Sequence, residues 1–374
     1  QVVSKVLAQY RGIANITFTE TTDQSNAQLR FGTSNQPDSS GVTYTSYLGN
    51  GALEQMDVFL DNASGMPSLS DGSYGLETLI HEIGHALGLK HPGNYNSTGD
   101  YGAPQPYLPL AWDNRKFTAM SYLDNPDTTV YHSTPGLLDI AAVQYLYGAN
   151  ISGKQAQTFS FSNSSPFVSS LLSSGTQDTI DISNQSLGST IFLTPGTLSS
   201  IGVGANGGPA HNNVAIPFGE SVVSVIDGPA ADLIVGNTLD NKFIGFSTGD
   251  TIDGGGGNDT LVLSATSSGL NNAADSQLQN VQTVDASAAA AGVKVDLHSQ
   301  NESLAFIGSS FSDTITAGPG WDLLIGGGGN DSINGGIGMA TAGYGGKRSS
   351  YSVSKTSTAV TVRDNDGTDG SDGT

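Results

Sequence analysis

The sequence predicts two folds in series: an α+β domain over residues 1–148 and an all-β parallel β-roll over 149–374. Three observations carry this. Helical and strand-like periods alternate through the first 148 residues, and helical periodicity then disappears. Gly-rich turns with a carboxylate recur every nine residues in the second part. The composition, with 50 Gly, 36 % hydrophobic and only 13 % charged residues, suits turn-rich β structure better than a helical bundle. A chain of 374 residues also exceeds what one hydrophobic core usually holds.

In the first part, "VVSKVLAQY" (2–10) has the spacing of a short amphipathic helix. "ANITFTE" (14–20) and "AQLRFG" (27–32) read as strands. "MDVFLDN" (56–62) reads as another, with Asp57 and Asp61 turned from its apolar face. A helix follows within "LIHEIGHALGLKHPG" (79–93), then a polar, Pro-rich loop (94–109) and a last helix, "PGLLDIAAVQYLYG" (135–148).

In the second part, Asp232, Asn241, Asp250 and Asp259 stand nine residues apart, as do Asp313, Asp322, Asp331 and Ala340. Two positions after each is an apolar residue: Ile234, Phe243, Ile252 and Leu261, then Ile315, Leu324, Ile333 and Ala342. The best copies, "GGGGNDTLV" (254–262) and "GGGGNDSIN" (326–334), fit a nonapeptide in which Gly makes the turn, Asp supplies a carboxylate and the apolar residue enters a narrow core. Stacked turns of this kind take Ca²⁺, a hard cation served by carboxylate and carbonyl oxygen. The expected calcium residues are Asp232, Asp250, Gly254, Gly256, Asp259, Asp313, Asp322, Gly326, Gly328 and Asp331, in repeats spanning 227–262 and 308–342. Several ions are expected, fewer than one per turn, because "GNTLDN", "GSSFSD" and "GGIGMA" are degenerate copies. The intervening 264–307 has short strands and small-residue turns, and is expected to continue the stack.

The formal net charge of -21 disfavours nucleic acid and anionic membranes, and bound cations would offset it. No apolar run approaches the roughly 18 residues of a membrane span, so no membrane insertion is expected. Cysteine is absent, which removes disulfides as staples.

Three of the six histidines lie in one stretch of eleven residues. Leu76, Leu79, Ile80, Ile83 and Leu87 form the buried face of a helix, and His81 and His85, four apart, share the neighbouring face. This H-E-x-x-H spacing can hold one zinc ion, with Glu82 as general base. Gly88 can end the helix, Pro92 prevents its resumption, and His91 can return as a third ligand. Three nitrogens and one open position make a catalytic arrangement rather than a closed structural one. His132, His211 and His298 are isolated, and Asp139 reads as a buried structural carboxylate.

"HEIGHALGLKHPG" resembles the elongated zinc motif of the metzincin peptidases. "FTAMSYLD" (117–124), "LLDIAAVQYLYGAN" (137–150) and the nonapeptide repeats are similar to the serralysin branch of that family. The resemblance implies a zincin-like catalytic domain followed by the roll. It places Met120 beneath the metal, and makes Tyr122 both a further zinc ligand and an oxyanion donor. It implies one catalytic Zn²⁺, several structural Ca²⁺, protein or peptide substrates, a monomer, and a secreted endopeptidase exported by a type I system. The strand "EQMDVFLDN" (54–62) is the expected edge for substrate pairing. At the junction, "GANISGKQAQTFSF" lacks Asp and carries Lys154, and "SSGTQDTIDIS" keeps Asp178, a pattern that does not support the family's calcium loop. Both ends are expected to be short of the family's full length. The competing expectation is a calcium-dependent adhesin with a vestigial zinc site.

Overall fold

The computed structural model describes residues 1–374 apart from 50–52, 64–66, 96–105, 152–154, 173–176, 346–347, 357–359 and 366–374. Much of the polar loop 94–109, and Lys154 at the junction, therefore lie outside the described residues. The chain folds as two compact units. The first is Gln1–Gln157, Ser162–Asp178 and Pro195–Ser221, and the second is Thr158–Phe161, Thr179–Thr194 and Val222–Thr374.

In the first unit, helix α1 is Val2–Ile13, strands β1, β2 and β3 are Leu29–Ser34, Gly41–Tyr47 and Leu53–Asp61, and helices α2 and α3 are Tyr74–Ala86 and Leu137–Tyr147. Ser73 caps α2 by accepting from the Leu76 amide. The apolar face of α2 is buried against Val6, Tyr10 and Ile13 of α1, Ile140 and Val143 of α3, and Val58 and Leu60 of β3. The Tyr10 hydroxyl donates to the Ile80 carbonyl at 3.0 Å, so even the polar tip of this core residue is satisfied.

The sheet order is β1-β3-β2, with β1 parallel and β2 antiparallel to β3. This corrects two expectations. "EQMDVFLDN" lies in β3, the central strand, whose backbone groups are engaged on both sides, so it offers no edge to a substrate. The edge strand that packs on α2 is β2, which sequence patterning did not single out. "ANITFTE" forms no strand; Ala14 alone makes an isolated bridge, to Ala149.

In the second unit, short strands alternate between two faces. One face is a nine-stranded sheet running Thr158–Ser160, Asp178–Asp181, Val222–Ile226, Lys242–Ile244, Thr260–Val262, Thr283–Asp285, Ala305–Ile307, Trp321–Ile325 and Met339–Gly343, parallel from Val222–Ile226 onward. The other is in two pieces: Thr190–Phe192, Leu233–Val235, Thr251–Asp253 and Leu278–Gln279, then Lys294–Asp296, Thr314–Thr316 and Ser332–Asn334. This is the parallel β-roll read from the repeats, and residues 264–307 continue it. The nine-residue period places Ile234 beside Ile252 and Phe243 beside Leu261, and all four are buried. Each such side chain contributes roughly 1.5–3 kcal/mol by leaving water. The last copies are looser, with Ile333 half-buried and Ala342 exposed.

Candidate metal centre

The site begins with α2. Its 3.6-residue period brings His81 and His85 to one side, and the helix stops where Gly88 takes φ +91°. That left-handed residue turns the chain back, so His91 approaches the same point. The Nε2 atoms of His85 and His91 are 3.0 Å apart, and those of His91 and His81 are 3.2 Å apart.

These nitrogens do not hydrogen-bond one another. The Nδ1 atoms of His81 and His85 face the carbonyls of Ala119 at 2.8 Å and Leu89 at 2.9 Å, and a carbonyl only accepts. Nδ1 therefore carries the proton, and the Nε2 lone pairs converge. Protonation is no remedy. Burial, then the nearby His85, pulls His81 down to about 3; burial, then His85, pulls His91 down to about 4; burial also lowers His85. Three neutral imidazole lone pairs facing one point call for a cation. Tetrahedral zinc with Zn–N bonds of about 2.0–2.1 Å needs ligand nitrogens roughly 3.3 Å apart, close to what is seen. The residues present fit the metal, and the triad forms one of two groups among the described residues able to hold an ion.

Glu82 lies between α2 and β2. The Thr43 hydroxyl donates to its Oε2 at 2.7 Å. Burial pushes the Glu82 carboxyl up to about 7, while the Thr43 hydroxyl pulls the other way. A carboxyl near neutrality can both accept and return a proton, which suits a general base. Gly41 of β2 has no room for a side chain, since a Cβ there would meet Glu82 and Thr78 below 3 Å. Sequence reasoning missed Thr43 and Gly41 because only the packing of β2 on α2 gives them a role.

Met120 is buried in the core against α2, where a Cβ on Gly84 would stand 2.6 Å from its sulfur. Its turn is held by Asp139, which accepts from Thr118 Oγ1 at 2.5 Å and from the amides of Ala119 and Gly136 at 2.8 Å. Asp139 is thus the structural carboxylate expected. It acts on His81 through the Ala119 carbonyl, as an outer partner of a metal ligand does. Burial pushes Asp139 up to about 6. His132 is buried, its amide donating to Glu77 Oε2 at 2.9 Å, whereas His211 and His298 are exposed. The Tyr122 ring lies 4.4 Å from that of His91 and 5.9 Å from that of His81, and burial raises its hydroxyl pKa.

In the roll, one oxygen of four of the six repeat aspartates pins the turn 18 residues earlier. Asp250 Oδ1 accepts from the Asp232 amide at 2.9 Å, Asp259 Oδ1 from Asn241 at 2.7 Å, Asp322 Oδ1 from Leu304 at 2.9 Å and Asp331 Oδ1 from Asp313 at 2.9 Å. The Oδ2 atoms of Asp232, Asp259 and Asp322 are buried without a protein partner. Asp227, Asp232 and Asp250 form the second group able to hold an ion. Asp227 is pushed up to about 8 by burial and then by Asp250, and Asp259 up to about 6 by burial. A buried carboxylate oxygen with no donor is costly unless a cation meets it. Oxygen-only donors of this kind fit Ca²⁺. Asp227 was not among the expected ligands, because it falls outside the nine-residue phase of Asp232, Asn241, Asp250 and Asp259. Gly254 and Gly326 lie against Asp259 and Asp331, where a Cβ would strike the carboxylates, whereas Gly256 and Gly328 donate to the carbonyls of Asn237 and Ser309. The left-handed glycines of the two best copies are Gly255, Gly257, Gly327 and Gly329.

The chain thus combines an α+β unit carrying a three-histidine group able to hold a metal ion with a parallel roll carrying an acidic group able to do the same. Comparison with known proteins narrows this description. The chain is 33 % identical to serralysin G of Dickeya chrysanthemi over 265 residues, 65 % of this chain and 54 % of the relative. It is 32 % identical to metallopeptidase AprA of Pseudomonas marginalis over 262 residues, 63 % and 53 % of the two chains. It is 31 % identical to the serralysin of Proteus mirabilis over 271 residues, 63 % and 53 % of the two chains. No protein-family model matches the chain. The chain spans about half the length of the curated relatives it matches, and over that span it is similar in sequence to serralysins and related metallopeptidases.

Proposed function

We propose that the chain carries a zinc-dependent endopeptidase that hydrolyses peptide bonds of extracellular proteins, and that its roll is stabilised by calcium. The observation that carries this reading is the convergence of three Nε2 lone pairs beside a buried carboxyl held near neutrality. His81, His85 and His91 would hold the zinc, which supplies Lewis-acid polarisation of a peptide carbonyl and acidifies water.

The chain's own groups do the rest. The edge strand β2 is available to pair with an extended substrate, beside Glu82. Glu82 takes a proton from the attacking water and delivers one to the departing amine. The Tyr122 hydroxyl, a phenol that carries its proton at neutral pH, donates to the oxygen that gains charge. Asp232, Asp250, Asp259, Asp313, Asp322 and Asp331, with Asp227, would take calcium between turns of the roll. Among the described residues no helix is long and apolar enough to cross a membrane. This reading puts the protein outside the cell, where Ca²⁺ is abundant enough to fill sites of about 10⁻⁴–10⁻³ M affinity.

The test compares casein hydrolysis by the wild type and Glu82→Ala, with zinc measured on both. Zinc in both and activity in the wild type alone is the expected result. Zinc in both and activity in neither overturns the peptidase reading in favour of a binding module.

A further inference from the structure

Tyr95 lies four residues beyond the third histidine and belongs to no zinc-ligand motif, yet its ring, hydroxyl and backbone all engage the site. The ring stacks on Tyr122 with centroids 5.1 Å apart and planes inclined by 19°, and lies 5.6 Å from the ring of His91. The Tyr95 backbone also hydrogen-bonds His91. Its hydroxyl donates to Asp113 Oδ1 at 2.7 Å and accepts from the Tyr122 amide at 3.3 Å.

Asp113 is the anchor. It is buried, and the same Oδ1 accepts from Ser121 Oγ at 2.7 Å. Ser121 Oγ in turn accepts from the Leu123 amide at 3.1 Å. Residues 121, 122 and 123 are therefore tied to one buried carboxylate, Tyr122 through the Tyr95 hydroxyl. Gly93 reports how tightly this is packed, because a Cβ there would strike both the Tyr95 ring and the Asp113 carboxylate. A bulky aromatic used only as filler would need neither the buried acceptor nor the glycine.

We propose that Tyr95 is a positioning residue for Tyr122, fixing the backbone of that tyrosine to Asp113 so that its phenol is aimed at the developing oxyanion. The proposal rests on the peptidase reading above and deepens it. A donor that must reach a charge formed only in the transition state gains from a fixed backbone, since no reorganisation is then needed at the moment of reaction. The Tyr95 ring covers one face of the phenol ring, which lies 4.4 Å from the ring of His91. The same residue thus links the third histidine to the oxyanion donor, two elements that the chain separates by 31 positions (122 − 91).

The test is a double-mutant cycle on the zinc-loaded protein with a fluorogenic peptide, reading kcat, KM and zinc content. Tyr95→Phe is expected to keep zinc and KM while lowering kcat about tenfold, the effect of one hydrogen bond acting through geometry. Tyr122→Phe is expected to lower kcat on the order of a hundredfold as the loss of an oxyanion donor. The double variant should be no slower than Tyr122→Phe alone. Asp113→Ala removes the acceptor instead of the hydroxyl and should give the same dependence on Tyr122. Losses that multiply, or loss of zinc in Tyr95→Phe, overturn the proposal and leave the peptidase reading intact. An inactive wild type overturns both.

Discussion

At the scale of single residues, Thr43 shows how a side chain outside any motif tunes one inside it. Glu82 sits near 7 because burial disfavours its charge, and the Thr43 hydroxyl partly offsets this by bonding the ionised form. Thr43→Val removes that bond without changing shape, so the carboxyl should rise further. The acidic limb of the kcat/KM profile should then move to higher pH, and bound zinc, present in both proteins, leaves the direction of the difference unchanged. A limb that stays fixed or moves down would show that Thr43 does not bond Glu82 in the working enzyme. The histidines and Glu82 were legible because zinc demands nitrogens on one helix face and a helix repeats every 3.6 residues. Thr43, Tyr95 and Asp113 were not, because each gains its role from a partner 18 or more positions away (113 − 95 = 18; 82 − 43 = 39).

At the scale of elements, the close approach of α2 to the methionine turn decides how rigid the site is. Gly84 is on the face of α2 that meets Met120, and a side chain there has no space. Gly84→Ala raises helix propensity by about 1 kcal/mol, yet overpacking costs typically 1–3 kcal/mol and should win. A lower melting temperature of the zinc-loaded protein, with weaker zinc retention, is the expected result; a higher one would mean that Met120 moves aside freely. Asp139 works across the same contact. Asp139→Ala leaves the Ala119 and Gly136 amides and the Thr118 hydroxyl unpaired in the core, each costing about 1–3 kcal/mol. It should loosen zinc through His81 Nδ1, measured as a faster loss of metal to a chelator. The helices were legible from periodicity and caps. The choice of β2 over β3 as the edge strand was not, since both alternate similarly and only pairing order separates them.

At the scale of the whole molecule, the stacked carboxylates make the stability of the roll depend on pH. Asp227 at about 8 and Asp259 at about 6 stand above the ordinary 3.8, so the folded state holds their protons more tightly than the unfolded chain does. Without calcium, that stability is fully present below about pH 3.8 and is lost as pH rises through these values, from about 4 to 8. Calcium takes the deprotonated form, so its presence should reverse the trend. Melting curves of the roll at pH 5 and pH 8 test this. The expected order is pH 5 above pH 8 in a chelator and pH 8 above pH 5 in millimolar calcium. The same order in both conditions would mean that these carboxylates do not bind it.

The sequence by itself determined the two-part architecture, the nine-residue stack and the face of α2 that carries His81 and His85. Each of these is a periodicity, and a periodicity in the chain becomes a direction in space as soon as the backbone takes a regular form. Tertiary structure alone decided which strand is the edge, which hydroxyl bonds Glu82, and how Asp113 reaches Tyr122 through Tyr95. Those contacts join positions with no shared period, brought together by burial of the α1, α2 and α3 core and by the turn at Gly88. Local spacing says which side chains share a face; only the packed chain says what faces them.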